Sequence, residues 1–172
     1  MEIQILNFIQ NIRTIFLDQI MIFITHLGST GIIWIILTII LLIYPKTRKI
    51  GIVLTIALFI DVLLCNVILK NMIARQRPFN VNTTIELIIN APTDYSFPSG
   101  HTSASFSVVS VLYMLKHQLW KPSLILAILI AFSRMYLYVH YPTDIIGGII
   151  CGIICGYLGY KCYNNYHLSQ NT

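Results

Sequence analysis

The chain has 172 residues, of which 56% are hydrophobic and only 10% charged, with a formal net charge of +5. Soluble domains carry about 25% charged residues, so this sequence cannot cover itself with a wetted surface. The length fits one domain, 1–172, built inside a membrane, and leaves little room for a regulatory module. The basic excess falls in short loops between apolar runs, where topology explains it better than nucleic acid does. Cys65, Cys151, Cys155 and Cys162 follow no zinc-type spacing and read as packing residues, which argues against a metal module or a disulfide scaffold.

In chain order, the apolar runs predict helices over Ile5–Leu27, Gly31–Tyr44, Ile50–Asn71, Gly100–His117, Trp120–Tyr138 and Pro142–Tyr163. The first has no basic n-region and carries polar interruptions from Gln4 to Asp18. It therefore reads as an amphipathic start leading into a membrane helix, not as a cleavable signal. The third run, Ile50–Leu69, holds a single charge, Asp61, in 20 residues, about the length that spans a bilayer. Asp61 is expected to make a structural hydrogen bond; Lys70, nine residues on, is about half a turn away in orientation. Gly28–Gly31, Pro45–Lys49 and Lys121-Pro122 supply the breaks. Only the connection from Arg75 to Ser99 is long, and Ile85–Ile89 within it predicts a short surface helix. The expected fold is all-α, a polytopic bundle of about six transmembrane helices.

Small residues recur at four-residue spacing along the last helix, at Gly148, Gly152 and Gly156, beside a line of Gly147, Cys151, Cys155 and Gly159. Such spacing lets helices pack backbone to backbone. The ordinary reading is packing within the chain; a homodimer seam is the alternative. Gly100, Ser103, Ser107 and Ser110 form a matching stripe that is expected to face inward.

Lys46, Arg48, Lys49, Lys116, Lys121 and Lys161 all fall at one set of alternate helix ends. By the positive-inside rule those ends, and the C-terminus with them, are cytoplasmic in a multi-pass protein of the cell membrane. The remaining cations from the second helix onward, Lys70, Arg75, Arg77 and Arg134, belong to the opposite ends. Charge placed against that bias points to an anion site on the extracytoplasmic face.

Three segments can build such a site. In residues 70–78, Lys70 and Arg77 would share a face if the helix continued, and could together hold a phosphate. In residues 98–101, Ser99 and Gly100 open a helix whose free N–H groups suit an anion, with His101 beside them as a proton donor. In residues 133–144, Arg134 adds a third cation, and Asp144 lies close enough in sequence to His140 to accept its ring N–H. Each segment alone has an ordinary reading: a snorkelling anchor, a capped helix start, an interfacial histidine.

Together, K-x(6)-R-P, P-S-G-H and S-R-x(5)-H-x(3)-D resemble the three-part signature of the type 2 phosphatidic acid phosphatase superfamily, with every signature residue present. The resemblance implies that His140 attacks phosphorus to form a phosphohistidine while Asp144 orients it. It implies that His101 protonates the leaving group, and that Lys70, Arg77, Ser99, Gly100, His101 and Arg134 surround the nonbridging oxygens. It further implies a lipid phosphate or pyrophosphate as substrate, with undecaprenyl pyrophosphate first and phosphatidylglycerol phosphate or phosphatidic acid second. Carboxylates suited to Mg²⁺ do not cluster in the sequence, so a metal-independent phosphatase without cofactors is expected, with membrane lipids as its surroundings. A lipid transporter or a membrane assembly partner is the reading from another class, set against the presence of both histidines. Arg75, Tyr95 and His26 are expected near the mouth of the site; His117 and His167 read as surface residues.

Overall fold

The computed structural model describes the backbone of residues 1–170 and the side chains of residues 1–165, so the expectation for His167 lies outside the described side chains. The helices are α1 (Glu2–Gln10), α2 (Ile15–Gly28), α3 (Ile32–Ile43), α4 (Arg48–Asp61), α5 (Lys70–Ile73), α6 (Pro78–Val81), α7 (Gly100–Met114), α8 (Trp120–Tyr136) and α9 (Pro142–Gln170). A π-helical stretch, Val62–Leu69, joins α4 to α5. The described residues contain no strand.

The single helix predicted over Ile5–Leu27 is two. Thr14 is extended, and its hydroxyl accepts from Leu17 N at 3.2 Å, which starts α2 afresh. The break is held from both sides: Gln10 Nε2 donates to the Tyr136 carbonyl at 2.9 Å, and Arg13 pairs with Asp18 at 2.8 Å. Between α2 and α3, Thr30 and Gly31 adopt left-handed backbone (φ 51° and 71°). Gly31 meets that conformation without strain.

α7 is the central helix and packs on α4, α8 and α9. The small-residue line makes this close approach. A Cβ on Gly152 would lie 2.3 Å from the Ser103 carbonyl, and one on Gly156 2.8 Å from that of Ser107. The glycine seam and the serine stripe therefore face each other within the chain, as intramolecular packing requires. Asp61, fully buried, accepts from the Ser103 hydroxyl on the same face.

Three stretches among the described residues are long and apolar enough to cross a membrane: Ile15–Ile43, Arg48–Val81 and Pro142–Asn165. Ile35, Ile36, Ile39, Ile40 and Ile43 remain exposed along α3, as do Ile146, Ile150, Ile153 and Ile154 along α9. Apolar faces of that extent fit a lipid environment, not water.

The predicted helix over Ile85–Ile89 does not form. Ile85, Leu87 and Ile89 turn inward while Glu86 and Ile88 are exposed, the period of two of an extended segment. The non-helical course instead packs Ile85 and Leu87 against the cluster of Leu6, Tyr138 and Tyr141.

Candidate active site

Lys70 and Arg77 do meet, though not by helical spacing. Helix α5 stops at Ile73, and Ala74 turns left-handed (φ 48°). Pro78 then holds Arg77 in extended backbone (φ −77°, ψ 154°). The chain thus doubles back, bringing Arg77 to the cavity that Lys70 already lines. Both side chains are buried, at 5% and 3% exposure.

That cavity has a volume of about 470 Å³, and Lys70, Arg77, His101, Arg134 and His140 all line it. Thr25 and His26 of α2 and Ile88, Ile89, Asn90 and Pro92 of the long loop close its sides. Arg134, at the end of α8, donates to the Thr25 hydroxyl, while its Nε has no partner. His101 Nε2 is likewise buried without a hydrogen bond. Both atoms belong to side chains that line this cavity, so each can still bond a group placed there.

His140 lies in the five-residue link between α8 and α9, fixed by backbone bonds from Val139 N and His140 N to the Arg134 carbonyl at 3.1 and 3.3 Å. Its Nδ1 is 3.4 Å from Asp144 Oδ2, and its Nε2 is 3.3 Å from Arg77 Nη1. Burial, followed by the charges of Arg77, Arg134 and Lys70, holds the His140 pKa well below the ordinary imidazole value; Asp94 opposes them. The ring is therefore neutral at neutral pH.

Asp144 is fully buried and fully engaged. Oδ2 also accepts from Ser96 Oγ and from Tyr141 N at 2.8 Å, and Oδ1 accepts from Arg75 Nη1 at 2.7 Å. Arg75 is therefore not at the mouth of the site as expected. It braces the back of Asp144, bonds Glu2 at 2.6 Å and lies 3.9 Å over the Tyr141 ring. Tyr95 is exposed and does not line the cavity; only its carbonyl takes part, accepting from Arg77. His26 does line it, and His117 is half-buried where a surface position was expected.

Ser99 and Gly100 do not line the main cavity. Ser99 is fully buried, its hydroxyl capping α7 at Thr102 N. Gly100 lines a smaller adjoining cavity of about 330 Å³ with Asp61, Asn66, Lys70, Asp94 and His101. A Cβ there would fall 2.6 Å from Asn66 Oδ1, so any larger residue would have to displace the Asn66 amide. The π-helical turn also alters the half-turn offset between Asp61 and Lys70, and both reach this smaller cavity.

Residues 47–168 match the family model of the PAP2 superfamily. The chain belongs to the PAP2 superfamily. An undecaprenyl-diphosphatase of Sulfolobus acidocaldarius is 38% identical over 143 residues, covering 83% of this chain and 68% of the relative. The undecaprenyl-diphosphatase BcrC of Bacillus subtilis is 32% identical over 145 residues, covering 84% and 74%. The crystal structure of a transmembrane PAP2-type phosphatidylglycerolphosphate phosphatase from Bacillus subtilis aligns with a TM-score of 0.78 at 29% identity, over 95% of this chain and 85% of that one.

Asp94 is the residue of this PAP2 site that the motifs do not single out. It pairs with both Lys70 and Arg77. The available signal is scarcity: the chain has six acidic residues, and only Glu86 and Asp94 lie in the long loop facing four cations. Asp61, Cys65 and Cys151 bring metal-type donor atoms within 4.8 Å of one another, a grouping their spacing does not announce. None of the three lines the cavity of His140.

Proposed function

We propose that this chain, as one domain over 1–172, is a metal-independent lipid phosphatase that hydrolyses a lipid diphosphate through a phosphohistidine on His140. The convergence of Lys70, Arg77, His101, Arg134 and His140 on one cavity carries the reading. His140 Nε2 attacks phosphorus as the bond to the leaving oxygen breaks, and His101 donates its proton to that oxygen. Water then attacks the phosphohistidine, His101 takes the proton from it, and the P–N bond returns its electrons to Nε2. Asp144 holds the ring and stabilises the positive charge it gains. Lys70, Arg77 and Arg134 offset the charge spread over the nonbridging oxygens, the role a metal ion fills elsewhere. The two carboxylates beside His140, Asp94 and Asp144, are already paired with cations, which supports chemistry without Mg²⁺. In this reading Ser99 and Gly100 complete the phosphate seat from the start of α7, where Ser99 caps the helix and Gly100 opens on the cavity that Lys70 also lines.

Undecaprenyl diphosphate is the favoured substrate, supported by the names of the Sulfolobus and Bacillus relatives. Phosphatidylglycerol phosphate is the second reading, favoured by the aligned crystal structure. We place α7 and α8 in the bilayer with the three longer spans. The His140 end faces the extracytoplasmic side, because six of the eight cations outside the phosphate seat gather at the other ends.

The test is phosphate release from a panel of lipid phosphates by purified protein in excess chelator. Fastest release from the diphosphate is expected. Fastest release from phosphatidylglycerol phosphate would favour the second substrate, and loss of activity restored by Mg²⁺ would overturn the metal-free mechanism.

A further inference from the structure

Asp94 sits where a bound phosphate would meet its cations. Its carboxylate is divided between two of them: Oδ1 accepts from Arg77 Nη2 at 2.6 Å, and Oδ2 pairs with Lys70 Nζ. Its carbonyl accepts from Arg77 Nε at 2.8 Å. Two anionic oxygens spanning a lysine and an arginine reproduce the contacts that two nonbridging phosphate oxygens would make. Burial alone would raise the pKa of this carboxyl, but Lys70 and Arg77 bring it down to about 2, so it stays ionised at any working pH.

The exposures are unequal. The Asp94 side chain is 51% exposed, against 7% for Lys70 and 3% for Arg77. Half of the Asp94 side chain thus stays in contact with solvent, and its own desolvation does not oppose release from the two cations. Asp94 reaches in from irregular backbone, and its neighbours Ala91, Thr93 and Tyr95 are exposed. It also lines both cavities, so it can turn away without crossing packed core.

We propose that Asp94 is a specificity-determining internal competitor for the phosphate seat. It holds Lys70 and Arg77 in the empty enzyme, gives way to the substrate and returns to expel product phosphate. This rests on the reading of Lys70 and Arg77 as phosphate-binding residues. A tethered group competes at an effective concentration of order millimolar. A lipid substrate concentrated in the same bilayer overcomes that competition, whereas phosphate free in bulk water does so only near saturation. A singly charged carboxylate also yields more readily to a more highly charged rival, which favours a diphosphate over a monoester.

The test is calorimetric binding of inorganic phosphate to the full-length protein in detergent, comparing wild type, Asp94→Asn and Arg77→Gln. Asp94→Asn is expected to tighten phosphate binding about tenfold, with a matching fall in the inhibition constant of phosphate against lipid substrate. Arg77→Gln is expected to weaken it. If Arg77→Gln weakens binding while Asp94→Asn leaves it unchanged or weaker, Asp94 is a structural counter-ion and the proposal fails. If Arg77→Gln has no effect, the phosphate seat itself is misassigned. Should Asp94→Asn not fold, hydrogen exchange in wild type decides. Saturating phosphate is expected to speed exchange across residues 82–99 as Asp94 is released; slower or unchanged exchange there overturns the proposal.

Discussion

Arg77 places a guanidinium N–H 3.3 Å from His140 Nε2, the ring nitrogen opposite the one that meets Asp144. A guanidinium only donates, so Nε2 must be the acceptor and the ring proton belongs on Nδ1, facing the carboxylate. One contact thus fixes the tautomer that a nucleophilic imidazole needs and directs its lone pair toward the cations.

Arg77→Lys should be harmful although the charge is kept. The guanidinium also reaches the carbonyls of Val139 at 2.8 Å and Asp94 at 2.8 Å, a spread of directions that one ammonium cannot cover. We expect a loss of about 1–3 kcal/mol, roughly fivefold to 150-fold in kcat/KM. Steady-state kinetics checks this; wild-type values would mean that Arg77 acts only through its field.

Arg75→Gln tests the brace behind Asp144. With that cation gone, more of the carboxylate's charge is directed at His140 Nδ1–H, which stabilises the protonated ring. We expect kcat to fall with KM little changed, the acid limb of the pH–rate profile to move to higher pH, and Arg75→Lys to restore part of the loss. An unmoved profile would reduce Arg75 to an anchor for Glu2 and α1.

Side-chain chemistry was more legible in the sequence than backbone course. The three motifs name five of the six cations and histidines that line the main cavity, all but His26, because each depends on residue type and not on exact geometry. The pairing of Lys70 with Arg77 was foreseen for the wrong reason: helical spacing suggested it, and a left-handed turn at Ala74 produces it. Arg75 was misplaced because nothing local reveals that Glu2, 73 positions away, waits for it. Asp94 was passed over because a lone acid in a loop carries no periodic signal. The same holds for the break at Thr14, where a hydroxyl cap outweighs an unbroken apolar pattern.

Membrane orientation can be read by cysteine labelling of intact cells in a cysteine-free background. Thr83, exposed in the long loop, should react with an impermeant thiol reagent, while Lys46, exposed between α3 and α4, should be protected until the cells are opened. The reverse pattern would put the His140 end in the cytoplasm.

The phosphohistidine is tested most directly by rapid acid-free quenching of the enzyme with phosphate-labelled lipid substrate, followed by peptide mapping. Acid-labile label on His140, absent from a folded His140→Ala variant that does not turn over, is the expected result. Label on His101, or turnover retained by His140→Ala, would contradict the assignment of His140 as the nucleophile.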